Sequence, residues 1–148
     1  MNPKPHLRIA IIIACALPLL NGCTSAPAKP ESLTELPACG WLPNCVNTST
    51  GSGMQAAAPL PATTAQWNSL KTWLADQPGW KIITADNNFV QLTFTTPTIG
   101  FVDDVQLLFV PEERVIQVRS SSRLGISDLG ANAARVEALR AEVKKLAQ

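Results

Sequence analysis

The sequence predicts an α+β fold of two layers, in which one four-stranded antiparallel sheet carries helices on one face. Three observations lead to this prediction. Four β-rich runs lie between residues 80 and 122, and turn-forming residues separate them. Helical periodicity is found before the first run and after the last one. We therefore expect the element order α-β-β-β-β-α in a compact domain over residues 63–148.

The first helix is predicted from a capping motif and an apolar stripe. Thr63 or Thr64 can cap its N-terminus, and Gln66 stands three residues after Thr63, as a capping box requires. The sequence QPG at residues 77–79 ends the helix. Between these signals, four apolar residues recur at helical spacing and are expected to face the core: Trp67, Leu70, Trp73 and Leu74.

The four β-rich runs form two predicted hairpins. WKIITA (80–85) and FVQLTF (89–94) are joined by DNN, a composition typical of turns. FVDDVQLLFV (101–110) and RVIQVRSSS (114–122) are joined by PEE. If Val110 pairs with Arg114, then Asp104 lies opposite Ser120 and Asp103 opposite Ser121.

The last helix is expected to begin after Ser127 or Asp128, since either residue can cap it. Its apolar stripe and its exposed ion pairs have spacings of three and four residues. The stripe consists of Val136, Leu139, Val143 and Leu146. The pairs are Glu137 with Arg140 and Glu142 with Lys145.

The N-terminus has the features of a bacterial lipoprotein signal peptide over residues 1–22. Lys4 and Arg8 precede an apolar run, and LNGC at residues 20–23 resembles the lipobox. We therefore expect Cys23 to be lipidated and to anchor the protein in a membrane. Cys15 is a poorer candidate because it leaves an apolar region of only about five residues. A soluble secreted form and an uncleaved anchor are the alternatives.

The resemblance to lipoproteins also implies a location. Thr24, rather than aspartate, follows Cys23, which favours the periplasmic face of the outer membrane over the inner membrane. Residues 23–62 are then a lipid-anchored tether that contains a cysteine loop, CGWLPNC. In an oxidising compartment, Cys39 and Cys45 are expected to form a disulfide, with a redox pair as the alternative. Residues 47–62 are expected to form a loop or a surface strap.

Composition excludes several classes of function. Removal of Lys4 and Arg8 with the signal peptide leaves 10 basic against 11 acidic residues, so there is no basic surface for nucleic acid. The single histidine, His6, lies in the signal peptide. The mature chain therefore has no Ser-His-Asp triad and no histidine-ligated metal site. We expect no cofactor and no metal.

The segment RSSSRLGISDLGAN (119–132) is the strongest candidate for a site. The predicted hairpin brings Arg119 and Arg123 within reach of Asp103 and Asp104. The two aspartates are adjacent, so they point to opposite faces of the sheet and cannot share a proton. The cluster is either a joint between sheet and helix or a site for an anionic group, which arginines and helix N-termini favour.

Three motifs resemble the family known as domain of unknown function 1499. They are LPNCV (42–46), FVDDVQLLF (101–109) and VRSSSRLGISDLGANAARVEAL (118–139), and they stand in the order that this family shows. Leu42, residues 47–48 and Ala134 depart from its usual pattern. The resemblance implies a polar cluster but no activity. In this sequence the residues of the polar cluster are Asp103, Asp104, Arg119, Ser120, Ser122, Arg123, Ser127, Asp128, Asn132 and Arg135.

Three functional hypotheses remain open at this point. The first is a non-enzymatic envelope lipoprotein that binds a partner protein or an anionic envelope ligand. The second is a hydrolase or transferase in which Asp103 or Asp104 acts as a base and an arginine stabilises an oxyanion. The third is a structural envelope component whose polar cluster only stabilises the fold.

Overall fold

The computed structural model describes residue 29 and residues 34–147. The α+β class is as predicted. Within the described residues there are two α-helices, α1 (Thr64–Ala75) and α2 (Ala131–Lys145). The strands are β1 (Cys45–Asn47), β2 (Leu60–Pro61), β3 (Trp80–Ala85), β4 (Phe89–Thr95), β5 (Val102–Val110) and β6 (Val115–Ser122).

The sheet of the described chain has six strands, so the prediction of four was wrong in number. Its order is β1-β6-β5-β4-β3, every pair is antiparallel, and β2 also pairs with β6. The two additional strands have three and two residues. Strands this short show no alternation of apolar and polar residues, and they form because the edge of β6 offers unpaired backbone groups.

The second hairpin differs from the prediction by one register step. Val110 pairs with Val115, so Asp103 lies opposite Ser122 and Asp104 opposite Ser121. The reason is Arg114, which adopts a left-handed backbone (φ 52°) and belongs to the turn. Its N–H donates to the carbonyl of Pro111 at 3.2 Å, and its own carbonyl accepts from Ala62 N at 2.8 Å.

Helix α1 begins as its sequence predicts. The Thr63 hydroxyl accepts from Gln66 N at 3.2 Å, and the Gln66 side chain accepts from Thr63 N at 2.9 Å. These two bonds are the predicted capping box. Trp67 is buried and stacks on Phe109 with ring centres 5.8 Å apart, which brings the helix against the sheet.

The main core lies between the two helices and one face of the sheet. The sheet contributes alternate residues of its three central strands: Val90, Leu92, Val105, Leu107, Phe109, Ile116 and Val118. The predicted stripe of α2 packs there through Val136, Leu139 and Val143. The opposite face of the sheet is called the outer face below.

A smaller core lies on the outer face and includes one residue of the segment before residue 63. Leu36 is buried against Phe89, Leu108 and Val110. Other residues of this segment, Val46, Leu60 and Ala62, join the main core on the helix side. The predicted disulfide between Cys39 and Cys45 is confirmed.

The predicted signal peptide and Cys23 lie outside the described residues. In the part of the chain that is described, no helix is both long enough and apolar enough to cross a membrane.

Candidate functional site

The polar cluster lies at one end of the sheet, where β5 begins and β6 ends. Because neighbouring residues of a strand point to opposite faces, the predicted site residues separate into groups. Asp103, Ser120, Ser122, Asn132 and Arg135 lie on the helix side. Asp104, Arg119 and Arg123 lie on the outer face, whereas Ser127 and Asp128 precede α2. The structure therefore does not bring all ten residues into one site.

A buried ion pair holds α2 to the start of β5. Arg135 Nη2 donates to Asp103 Oδ2 at 2.5 Å, and both side chains are buried. Arg135 Nη1 also donates to the Ser120 hydroxyl at 2.8 Å. The Arg135 guanidinium lies over the Phe94 ring, 4.6 Å from its centre, where a cation–π contact is favourable.

Asn132 connects this ion pair to the rest of the cluster. It is fully buried, and its Oδ1 accepts from the Ser120 hydroxyl at 2.6 Å and from Arg135 Nη1 at 2.7 Å. Its Nδ2 donates to the Asn44 carbonyl at 2.9 Å and to the Ser122 hydroxyl at 3.1 Å. These bonds use the full hydrogen-bonding capacity of the side-chain amide.

Asn44 is a member of the cluster that the sequence analysis missed. Its carbonyl accepts from Asn132, and its own Nδ2 donates to the Gly125 carbonyl at 2.9 Å. It therefore connects the cysteine loop to the segment between β6 and α2. In the sequence, Asn44 is marked only by its position inside the LPNCV motif. Nothing in the sequence indicates that this motif contacts RSSSRLGISDLGAN.

On the outer face, Asp104 and Arg123 form a two-pronged ion pair. Arg123 Nε and Nη2 donate to the two oxygens of Asp104 at 2.9 and 2.8 Å. The hydrogen bond to Asp104 raises the pKa of Arg123 above its ordinary value. Paired hydrogen bonds of this kind are stronger than bonds between neutral groups, and they fix the orientation of the guanidinium.

Arg119 does not bind Asp103, contrary to the predicted hairpin contacts. Asp103 faces α2, so Arg135 occupies the place expected for Arg119, which lies on the outer face. In the described part of the chain, Arg119 Nε has no hydrogen-bond partner. Burial lowers the pKa of Arg119, and the charge of Asp104 opposes this effect in part.

Asp128 lies three residues before Ala131, the first residue of α2, and its carboxylate caps the helix. Its Oδ2 accepts from Asn132 N at 2.7 Å, and its Oδ1 accepts from Gly130 N at 3.1 Å. Leu129 and Gly130 lie between cap and helix with positive φ values of 53° and 86°. Burial alone would raise the pKa of Asp128, but the bonds from Asn132 and Gly130 outweigh it and lower that pKa.

An apolar pocket of about 370 Å³ opens beside the cluster. Its walls combine apolar and polar residues of the β4–β5 loop, the β6–α2 segment and the adjoining strand ends. The apolar ones are Phe101, Val102, Leu124, Leu129 and Ala131, and the polar ones are Thr96, Asp103, Ser122, Ser127 and Asp128.

Large apolar side chains of the pocket wall, and of the two loop segments that supply it, are exposed to solvent. Leu129 is 96% exposed and Ile126 is 75% exposed, and Ile99, Phe101 and Leu124 are exposed as well. We call these five residues the apolar rim. None of the five was predicted: Leu124, Ile126 and Leu129 stand among the polar residues of RSSSRLGISDLGAN, whereas Ile99 and Phe101 lie just before β5.

Among the described residues, no three histidine, cysteine, aspartate or glutamate side chains are grouped as metal ligands would be.

Comparison with protein families supports the resemblance seen in the motifs. A family model described as "Protein of unknown function (DUF1499)" matches residues 35–143. The chain belongs to this family. The DUF1499 match includes the disulfide, every described strand and all ten predicted site residues, so it covers the segment before residue 63 as well. No curated protein matches the sequence significantly.

Proposed function

We propose that this DUF1499 protein is a lipid-anchored protein of the bacterial cell envelope whose domain is a non-enzymatic binding module. The predicted signal peptide and the resemblance of residues 20–23 to a lipobox support the anchor. The disulfide between Cys39 and Cys45 supports an oxidising compartment, because disulfides persist there.

The proposed binding role rests mainly on one observation, the exposed apolar rim beside an open pocket. Proteins seldom expose several large apolar side chains together unless the surface contacts another molecule. The neighbouring charges are engaged internally, since Asp103 binds Arg135 and Asp104 binds Arg123. The polar cluster thus positions the loops that carry the rim, and the rim is the surface left for a partner protein.

The same contacts favour binding over catalysis. Asp103 and Asp104 each already bind an arginine of the same domain, so these carboxylates are engaged before any substrate arrives. Asp103 and Asp104 also lie on opposite faces of the sheet, so they cannot divide the acid and base roles on one substrate.

Arg119 supports a second candidate, an anionic envelope ligand on the outer face. Arg119 is half-buried on that face, and Arg123 already pairs with Asp104. An acidic group could bind Arg119 there. The apolar rim contributes nothing to such a site, and for this reason we place a partner protein first.

Binding of Nile red, a neutral apolar dye, tests the pocket directly. We expect the mature chain with Cys23 replaced by serine to enhance the dye's fluorescence. Phe101→Asp and Leu124→Asp should abolish that enhancement, because they place a charge in the pocket wall. The matched control is Ile83→Asp, which charges an exposed isoleucine of β3 outside the pocket. Equal enhancement in all four proteins would contradict the proposal.

A further inference from the structure

We infer that Asn44 positions the wall of the apolar pocket, and that the disulfide between Cys39 and Cys45 thereby controls how tightly the pocket binds a ligand. This inference rests on the proposed function, since it concerns the same pocket. It deepens that proposal by assigning a positioning residue and a dependence on redox state.

The pocket wall between β6 and α2 has no regular secondary structure. Leu124 and Gly125 line the pocket in this segment, and the chain turns at Gly125 with a φ of 94°, in the left-handed region that favours glycine. Asn44 Nδ2 donates to the Gly125 carbonyl at 2.9 Å. Among the described residues, no other hydrogen bond ties residues 124–127 to a distant part of the domain. The shape of this wall therefore depends on Asn44.

Asn44 is held firmly on one side only. Its carbonyl accepts from Ser122 N and from Asn132 Nδ2, both at 2.9 Å. These two bonds fix the peptide group that follows Asn44. The peptide group that precedes it belongs to the cysteine loop, so the direction of the Asn44 side chain depends on how that loop is closed.

The disulfide closes the loop at its two ends. It joins Cys45, the first residue of β1, to Cys39, which is half-buried and precedes the strand by six residues. Gln55 Nε2 donates to the carbonyls of Gly40 and Leu42, both at 2.9 Å, and so holds the middle of the loop independently of the disulfide. Reduction is therefore expected to loosen the loop around Asn44 without unfolding it.

Reduction of the loop is a two-electron exchange with a dithiol. A thiolate of the dithiol attacks Cys39 Sγ, since Cys45 is buried, and the S–S bond breaks with Cys45 Sγ as the leaving thiolate. The second thiol of the dithiol then displaces Cys39 from the mixed disulfide. The dithiol ends as a disulfide, and Cys39 and Cys45 take up its two thiol protons.

The coupling between the disulfide and the pocket is reciprocal by thermodynamic necessity. If the oxidised protein binds a ligand more tightly than the reduced protein does, the ligand favours the oxidised form by the same factor. The link is one hydrogen bond between neutral groups, so we expect a factor of about two to ten.

Titration with Nile red tests the role of Asn44. The starting protein is the mature chain with Cys23 replaced by serine, whose only cysteines are Cys39 and Cys45. Asn44→Ala should weaken dye binding about two- to ten-fold. The control is Thr63→Ala, which removes the cap of α1 and so destabilises the domain far from the pocket wall. It should bind the dye as the starting protein does, because it leaves the bond to Gly125 intact.

Reduction by dithiothreitol tests the disulfide without altering Asn44. It should weaken dye binding by the starting protein by about the same factor and have little further effect on Asn44→Ala, because both changes act through one hydrogen bond. Cys39→Ser/Cys45→Ser should bind weakly with or without dithiothreitol. In mixtures of reduced and oxidised dithiothreitol, saturating Nile red should raise the reduced-to-oxidised ratio needed for half-reduction by the same factor.

Three results would overturn the inference. They are dye affinity that Asn44→Ala leaves unchanged, affinity that reduction leaves unchanged, and a loss in Thr63→Ala as large as that in Asn44→Ala. If Asn44→Ala fails to fold, the reduction experiment decides alone. In all these cases the oxidised starting protein still binds Nile red, so the proposed binding module stands. Absence of dye binding by that protein would contradict the proposed function and this inference together.

Discussion

At the scale of single residues, Asn132 organises the polar cluster. A planar amide accepts hydrogen bonds on one side and donates on the other. Asn132 accepts from Ser120 and Arg135 and donates to Asn44 and Ser122. No other side chain of its size could serve all four groups without adding a charge.

Replacing Asn132 by leucine should therefore strongly destabilise the domain. We expect a loss of about 3 kcal/mol or more in the free energy of unfolding, because several buried polar groups lose partners at once. Urea denaturation measures it. The control is Ala134→Leu on the exposed side of α2, which should change stability by less than about 0.5 kcal/mol. A similar effect of both substitutions would contradict the role of Asn132.

The buried ion pair makes a second prediction. Arg135→Met should cost about 3–5 kcal/mol, since it leaves the Asp103 carboxylate buried without its counter-charge. The double variant Asp103→Leu/Arg135→Met should recover part of this loss, because it buries no charge at all. Denaturation of the two single variants and the double variant gives the coupling free energy. Additive losses would contradict the pairing.

The third residue-scale prediction concerns pH. Because hydrogen bonds lower the pKa of Asp128 in the folded state, its stabilising effect is present above the unfolded-state pKa of about 3.9. That effect is lost as the pH falls through the folded-state pKa. Asp128→Ala should cost about 0.5–2 kcal/mol at pH 7, the usual value of a helix cap.

The stability lost in Asp128→Ala should depend on pH in a definite direction. The difference in the free energy of unfolding between the natural protein and the variant should shrink below about pH 4 and stay constant at higher pH. Thermal denaturation across pH 2–8 measures it. A difference that grows as the pH falls would show that Asp128 does not cap α2 as a carboxylate.

At the scale of elements, the long ones were predictable and the short ones were not. Both helices and β3 to β6 have clear periodicity or capping signals, and α1 begins at the predicted capping box. Strands β1 and β2 have none, because their positions are set by hydrogen bonds to β6. The turn containing Arg114 changed the register for the same reason, since its carbonyl binds Ala62 from a distant segment.

We expect the disulfide to stabilise mainly the cysteine loop that it closes. The chain-entropy relation gives about 2 kcal/mol for so short a loop. Reduction with dithiothreitol should lower stability by about that amount and increase proteolysis at Trp41. Hydrogen exchange of the β5–β6 pair should change little, because the ladder between those strands does not depend on the loop. Protection lost equally throughout the sheet would contradict this local role.

At the scale of the whole molecule, the two ends of the sheet differ. The apolar rim and the polar cluster lie where β5 begins and β6 ends, whereas the β3–β4 turn lies at the other end, where Asp86 pairs with Lys29.

Lipidation has its own test. Cys23→Ala should block processing, so that the full-length precursor accumulates, and globomycin should have the same effect on the natural protein. Gel mobility and membrane fractionation measure both effects, with Cys15→Ala as the matched control that should be processed normally. Normal processing of Cys23→Ala would contradict the anchor.

The sequence alone determined the α+β class, the long elements, the disulfide and the membership of the family, because periodicity, cysteine spacing and motifs are local. It also marked the polar residues that belong together. The tertiary structure decided how they pair: Asp103 binds Arg135 and not Arg119, and Asn44 joins two distant motifs. The tertiary structure also leaves the side chains of the apolar rim at the surface. Those features depend on strand register and on which face a side chain occupies, and one residue in the turn at Arg114 shifts the register.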